Sequence, residues 1–186
     1  MTTMKEKPMT QTASANGLER PERDFGEGFC LSGETLQKFD REIAKYPEGQ
    51  RRSAVMACLA LAQEEIGWLP RKAVEAVAAY LGIPPIAAWE VATFYNMYDL
   101  EPVGRHKLTV CTGLPCALSG GVHAAKYLQE KLGIGLGETT PDGKFTLLEG
   151  ECMGACGDAP VLLMNNRRMC SFMTPEKIDQ SLEGCK

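Results

Sequence analysis

Eight cysteines in 186 residues constrain this chain more than any other feature, and four of them fall into two short pairs. The first pair closes Cys111-Thr112-Gly113-Leu114-Pro115-Cys116. The second closes Cys152-Met153-Gly154-Ala155-Cys156 and runs on into Gly157-Asp158-Ala159-Pro160. The polar N-terminal stretch has no apolar core of the kind a secretory signal needs. It also lacks the Arg-rich, acid-poor character of a mitochondrial transit peptide. A cytoplasmic setting is therefore expected, where thiols stay reduced and clustered cysteines do metal or redox work.

Each pair follows a strand-like run and sits in a loop of Gly, Ala and Pro that can turn two thiolates toward one point. In neighbouring crossovers of one sheet the two points can coincide. Four thiolates can hold a [2Fe–2S] cluster, two on each iron. Gly113, Gly154, Ala155 and Gly157 would let backbone N–H groups approach cluster sulfides, and no acidic side chain stands between the members of a pair. Structural zinc also takes four cysteines, usually through tighter C-x₂-C turns. Dithiol catalysis wants C-x-x-C at a helix start, and no C-x-x-C occurs here. Simple burial as small hydrophobes is the plainest alternative. The spacing ranks iron–sulfur first and zinc second, and leaves both open. Cys58, in an Ala/Leu/Met-rich helix, and Cys170, on a hairpin strand, are expected to pack. Cys30 and Cys185, near the chain ends, are read as bystanders.

Composition narrows the function classes. Hydrophobic residues at 44% and charged residues at 24% suit an ordinary globular chain with a real core. A net charge of −4 argues against a nucleic-acid surface. No run approaches the roughly 20 apolar residues of a membrane span. With only His106 and His123, a three-histidine metal site is excluded. Gly133-Ile134-Gly135-Leu136-Gly137 follows a helix instead of a strand, the wrong context for a dinucleotide loop. Ser119-Gly120-Gly121 reads as a helix start before it reads as an anion site. The absence of nucleotide motifs assigns any nucleotide chemistry to a partner.

The pattern along the chain predicts an α+β protein. Residues 1–30 are polar and aperiodic, and read as a mobile tail. Residues 31–101 read as a four-helix bundle. Its helices begin at the N-cap Ser32, near Ser53, at Pro70 and after Pro84-Pro85. Val55, Leu59, Ala62 and Ile66 form the second stripe, and Ile86, Trp89 and Phe94 mark the fourth helix. Residues 105–186 change period. Strands are expected over 107–111, 145–148, 161–164 and 168–171, with a turn at Asn165-Asn166. Helices are expected over 122–132 and from Thr174 onward. This order of elements has thioredoxin-like character.

Four segments together resemble one family. They are Val110-Cys-Thr-Gly-Leu-Pro-Cys116, Glu151-Cys-Met-Gly-Ala-Cys-Gly-Asp-Ala-Pro160, Gln63-Glu-Glu-Ile-Gly-Trp-Leu-Pro70 and Glu90-Val-Ala-Thr-Phe-Tyr95. They look like the small [2Fe–2S] subunit of the peripheral arm of respiratory complex I, the E-type subunit of bacterial NADH:quinone oxidoreductase. The resemblance implies a helical bundle followed by a thioredoxin-like [2Fe–2S] ferredoxin domain. It places the four cluster ligands on Cys111, Cys116, Cys152 and Cys156. It implies a heterodimer with a larger flavoprotein that holds NADH and FMN, so that the isolated chain has no turnover of its own. It also implies peripheral attachment to the cytoplasmic face of a bacterial inner membrane. Diaphorase subunits of NAD-reducing hydrogenases and formate dehydrogenases share the spacing and are the alternative. A zinc-stabilised interaction module is the alternative of another class.

Overall fold

A computed structural model describes residues 29–185. The tail expected over residues 1–30 lies, except for its last two residues, outside the described residues. Helix α1 (Gly33–Ile43) begins where Ser32, in extended conformation, accepts the Thr35 N–H on its hydroxyl at 3.2 Å. It buries Phe39 completely. The helix expected from Ser53 is divided: a tight turn of 3₁₀ helix, Arg51–Ala54, leads into α2 (Val55–Ile66). Val55, Cys58, Leu59 and Ala62 are buried, whereas Ile66, at the helix end, is only partly covered. Gly67 stops α2 with φ 95°, a backbone only glycine adopts freely. Pro70 stands just outside α3 (Arg71–Leu81) as its N-cap, and Gly82 ends it.

Helix α4 (Pro85–Phe94) forms where Ile86, Trp89 and Phe94 mark it. Its buried residues are Ala88 and Ala92, while Ile86 is 65% and Phe94 78% exposed. Two residues further along, about 200° round the helix, the alanines face inward. Their small side chains let α4 lie close against the bundle, Trp89 and Val91 pack partly buried beside them, and Ile86 and Phe94 are left outside. Past α4, Tyr98 folds back and donates its hydroxyl to the Met56 carbonyl at 2.8 Å. Burial pushes its phenol up to about 12, and does the same to the Cys58 thiol.

The second half is built on a four-stranded mixed sheet in the order β2-β1-β3-β4. Strand β1 (His106–Cys111) pairs in parallel with β2 (Phe145–Gly150), from His106 opposite Phe145 to Cys111 opposite Gly150. Parallel neighbours need a crossover. A short helix α5 (Leu114–Leu118) and then α6 (Gly121–Leu132) supply it. Strand β3 (Leu162–Met164) runs antiparallel to β1, and β4 (Arg168–Cys170) antiparallel to β3. In the three-residue link Asn165-Asn166-Arg167, the two asparagines have φ 53° and 55°. Those are the positive values a twisted hairpin requires, and asparagine tolerates them. Helix α7 (Pro175–Glu183) is capped by Thr174. Leu108, Leu128, Leu147, Leu162 and Ile178 are the fully buried centre of this half. The fold is α+β and thioredoxin-like.

Polar contacts join the two hydrophobic clusters. Lys107, inside β1, places its ammonium 2.6 and 2.7 Å from the Asp99 carboxylate oxygens, and the side chains are only 5% and 10% exposed. Burial pushes the Asp99 carboxyl up against the pull of Lys107. Gln63 donates to the Met97 carbonyl at 3.0 Å and accepts the Asp99 N–H at 2.7 Å. Asn166 donates to the same Met97 carbonyl at 2.8 Å, and Arg167 pairs with Glu64. Removing one member of a buried ion pair strands the other charge. Asp99→Ala is therefore expected to lower unfolding free energy by about 3–5 kcal/mol in urea titrations. The double variant Asp99→Leu/Lys107→Met is expected to lose far less.

Candidate metal centre

Both cysteine loops leave the same edge of the sheet because β1 and β2 are parallel. Cys111 is the last residue of β1, opposite the last residue of β2. The Thr112 N–H extends the ladder by one step to the Gly150 carbonyl, at 3.0 Å. The Thr112 hydroxyl donates to Glu149 at 2.6 Å, and the Cys111 thiol points toward the Glu151 carbonyl at 3.7 Å. From the other side the Cys111 N–H donates to the Val161 carbonyl at 3.1 Å. The first loop is therefore pinned to β2 and to the entry of β3.

After Gly113 the chain enters α5, which places Cys116 in the interior. Cys111 is 3% and Cys116 1% exposed. The α5 helix was not anticipated. Five residues carry no period, although Pro115 in its first turn is a recognisable helix-start signal. The second loop is different. Cys152 and Cys156 are both exposed, Gly154 turns the chain with φ 68°, and its N–H reaches the Cys152 sulfur at 3.4 Å. Cys156 opens a 3₁₀ turn, Cys156–Asp158. Met153, Ala155 and Ala159 pack against the buried group of Cys111, Cys116 and Val161. The second loop thus forms a wall against the first pair.

The glycines explain how the loops come so close. A β-carbon on Gly113 would collide with the Glu151 carbonyl oxygen, so the two loops meet backbone to backbone there. A β-carbon on Gly121 would come within 2.7 Å of the Cys111 carbonyl and 2.8 Å of the Cys116 carbonyl. In the sequence Gly121 shows only as part of a helix start; in the structure it is a steric requirement. Gly157, by contrast, has open space at its β-carbon position.

Burial pushes the Cys116 thiol up. Its neighbour Cys111, by hydrogen bond and charge, and Cys156, by charge, push the same way, while the Val161 backbone opposes them. Three of the four thiols are therefore electrostatic neighbours. Among the described residues no three His, Cys, Asp or Glu side chains converge tightly enough to hold a single metal ion. A two-iron group draws on two thiolates per iron. Its donor requirement fits two cysteine pairs on facing loops with no oxygen or imidazole ligand among them. The remaining cysteines have other surroundings. Cys58 is fully buried in the helical core, and Cys170 packs in the sheet core. Cys185 is buried there too, its thiol 3.2 Å from the Ser181 carbonyl, whereas Cys30 is exposed.

Known proteins resemble this chain. Residues 39–186 match the family described as thioredoxin-like [2Fe–2S] ferredoxin. The E-type subunit of NADH-quinone oxidoreductase from Rickettsia bellii is 44% identical over 156 residues, which cover 83% of this chain and 93% of that one. The mitochondrial NADH dehydrogenase [ubiquinone] flavoprotein 2 of Dictyostelium discoideum is 41% identical over 155 residues. That match takes in 83% of this chain but only 63% of the relative. Among solved structures, an NAD+-reducing [NiFe]-hydrogenase in the air-oxidized state shares the fold with a TM-score of 0.60 at 22% identity, over 74% of this chain and 24% of that one.

The contact at Gly113 can be tested without any metal. Gly113→Ala forces two backbones apart and is expected to lower stability by about 1–3 kcal/mol. Gly157→Ala, with room to spare, should stay within about 0.5 kcal/mol of the original. Urea titration of the two variants side by side measures the difference.

Proposed function

Because this chain belongs to the thioredoxin-like [2Fe–2S] ferredoxin family, we propose that it works as the small electron-transfer subunit of an NADH:quinone oxidoreductase. One observation carries the site assignment: parallel β1 and β2 deliver both cysteine pairs to one edge of the sheet. In this reading Cys111 and Cys116 hold the cluster from the buried floor, and Cys152 and Cys156 hold it from the exposed rim. A bound [2Fe–2S] cluster supplies one-electron chemistry at a potential set by its surroundings. The chain's own contribution is to bind and shield it. Val161, Met153, Ala155 and Ala159 form the apolar packing that limits water around the buried pair. Gly113 allows the loops to approach, and Thr112 with Glu149 ties their roots together.

NADH and FMN belong, in this reading, to a partner flavoprotein with which the chain forms a heterodimer. Residues 105–186 carry the metal, and residues 31–101 offer contact surface. At the end of α4, Phe94 is 78% exposed and stands edge-to-face with Tyr95 at 5.0 Å, and Ile86 is exposed at the other end of the same helix. Aromatic residues of this kind anchor interfaces. No helix among the described residues is long and apolar enough to cross a membrane. The reading places the chain peripherally, on the cytoplasmic face of the bacterial inner membrane, held there by the complex. Part of a chain of an NAD+-reducing [NiFe]-hydrogenase shares the fold, and a diaphorase subunit of such an enzyme, or of a formate dehydrogenase, is the second reading. The 44% identity to the Rickettsia bellii NADH-quinone oxidoreductase chain favours the respiratory assignment.

Anaerobically purified protein should contain about two irons and two labile sulfides per chain, and should absorb visible light. Alanine at Cys111, Cys116, Cys152 or Cys156 should abolish that absorbance, whereas Cys30→Ala and Cys58→Ala should keep it. A colourless protein with stoichiometric zinc would overturn the assignment in favour of a zinc-stabilised module. A second measurement addresses the division of labour. Calorimetry of the isolated chain with NADH should show no binding, and copurification with its flavoprotein should weaken in Tyr95→Ala. Micromolar NADH binding by the chain alone would contradict the partner assignment.

A further inference from the structure

Phe172 holds a left-handed backbone, φ 54°. A bulky side chain rarely adopts that conformation. The two other non-glycine residues with positive φ among the described residues are Asn165 and Asn166, where a hairpin turn demands it. Phe172 lies instead in the link between β4 and α7. Its ring is 50% exposed, so core packing does not explain the strain. Strained backbone of this kind persists where surrounding contacts enforce it, often beside a functional site.

The contacts made by that link are specific. The Phe172 N–H donates to the Asp158 carbonyl at 2.8 Å, and the next N–H, of Met173, donates to the Pro160 carbonyl at 2.9 Å. The Ser171 hydroxyl donates to the Asp158 carboxylate at 2.9 Å. Three consecutive residues therefore grip the turn that starts at Cys156. The link is itself anchored. Met173 is 4% exposed in the sheet core, and Thr174 caps α7. Lys177 of α7 sets its ammonium 5.4 Å from the Phe172 ring centroid and 3.5 Å from the Ser171 carbonyl. The turn's own bond, from the Asp158 N–H to the Ala155 carbonyl at 3.0 Å, closes it locally without tying it to the sheet.

We propose that Ser171, Phe172 and Met173 form a positioning brace, in which the left-handed backbone of Phe172 aims successive N–H groups at the Asp158–Pro160 turn and so holds Cys156 beside the buried Cys111 and Cys116. The role of Cys156 rests on its assignment as a cluster ligand, but the brace is a property of the chain alone. The backbone of Phe172 does the work, and its ring does not. Glycine should therefore replace it without loss, because glycine adopts the same conformation freely. Proline should destroy the brace, because it lacks the N–H and fixes φ near about −65°.

The test compares the whole wild-type chain with Phe172→Gly, Phe172→Pro and Ser171→Ala. Amide hydrogen exchange is read over residues 155–158, and the decay of visible absorbance is read in the presence of a chelator. Phe172→Gly should match wild type within about twofold in both readouts. Phe172→Pro should accelerate exchange on the order of tenfold, the effect of losing one hydrogen bond on local opening, and should lose absorbance correspondingly faster. Ser171→Ala should shift both in the same direction by a smaller factor, and it decides the matter should the proline variant not fold. Wild-type exchange in Ser171→Ala and Phe172→Pro would overturn the brace, as would acceleration in Phe172→Gly equal to that in Phe172→Pro. A wild-type chain without iron would contradict the cluster assignment, and the exchange data would still decide the brace.

Discussion

The parallel pairing of β1 with β2 is the constraint on which the rest depends. Two parallel strands end at the same edge of a sheet, and here they end in the register Cys111 opposite Gly150. Both cysteine loops must then begin within one strand spacing, about 5 Å. Antiparallel pairing would have sent them to opposite ends of the sheet. Parallel pairing also demands a crossover, which α6 provides, and it starts at Gly121 because only a glycine fits against the carbonyls of Cys111 and Cys116. The antiparallel strand β3 then returns along the other side of β1, so that the Val161 carbonyl closes on the Cys111 N–H.

Burial divides the four thiols into two kinds. Cys111 and Cys116 lie inside, and the Cys116 thiol is raised, first of all because it is buried. A raised thiol favours its neutral form, so metal binding there must release a proton and compensate the buried charge. Cys152 and Cys156 stand at the solvent edge. The four thiols thus make a buried floor with an exposed rim. The helical half is joined to this platform by polar bonds around Asp99 and Lys107.

Much of this was legible in the sequence, because the informative residues act locally. Gly67, Gly82 and Gly133 stop helices where left-handed backbone is needed. Ser32 and Thr174 cap them, and Asn165-Asn166 makes the hairpin. The features that escaped depend on neighbours distant in sequence. Which face of α4 turns inward was decided by close packing of Ala88 and Ala92, not by the bulk of Ile86 and Phe94. Lys107 is buried within a strand only because Asp99 meets it. Gly121 and Phe172 reveal their roles through carbonyls they approach in space, and α5 is too short to leave a period. At the candidate site, cysteine type and spacing were visible. The contrast between a buried and an exposed pair was not, since it arises from where α5 places Cys116.

In the proposed reading these two loops together hold one two-iron centre. Electron paramagnetic resonance of the dithionite-reduced whole chain tests it most directly. The account predicts a single S = 1/2 signal integrating to about one spin per chain, the signature of one reduced [2Fe–2S] cluster. A reduced protein without that signal, carrying bound zinc in place of iron, would contradict it.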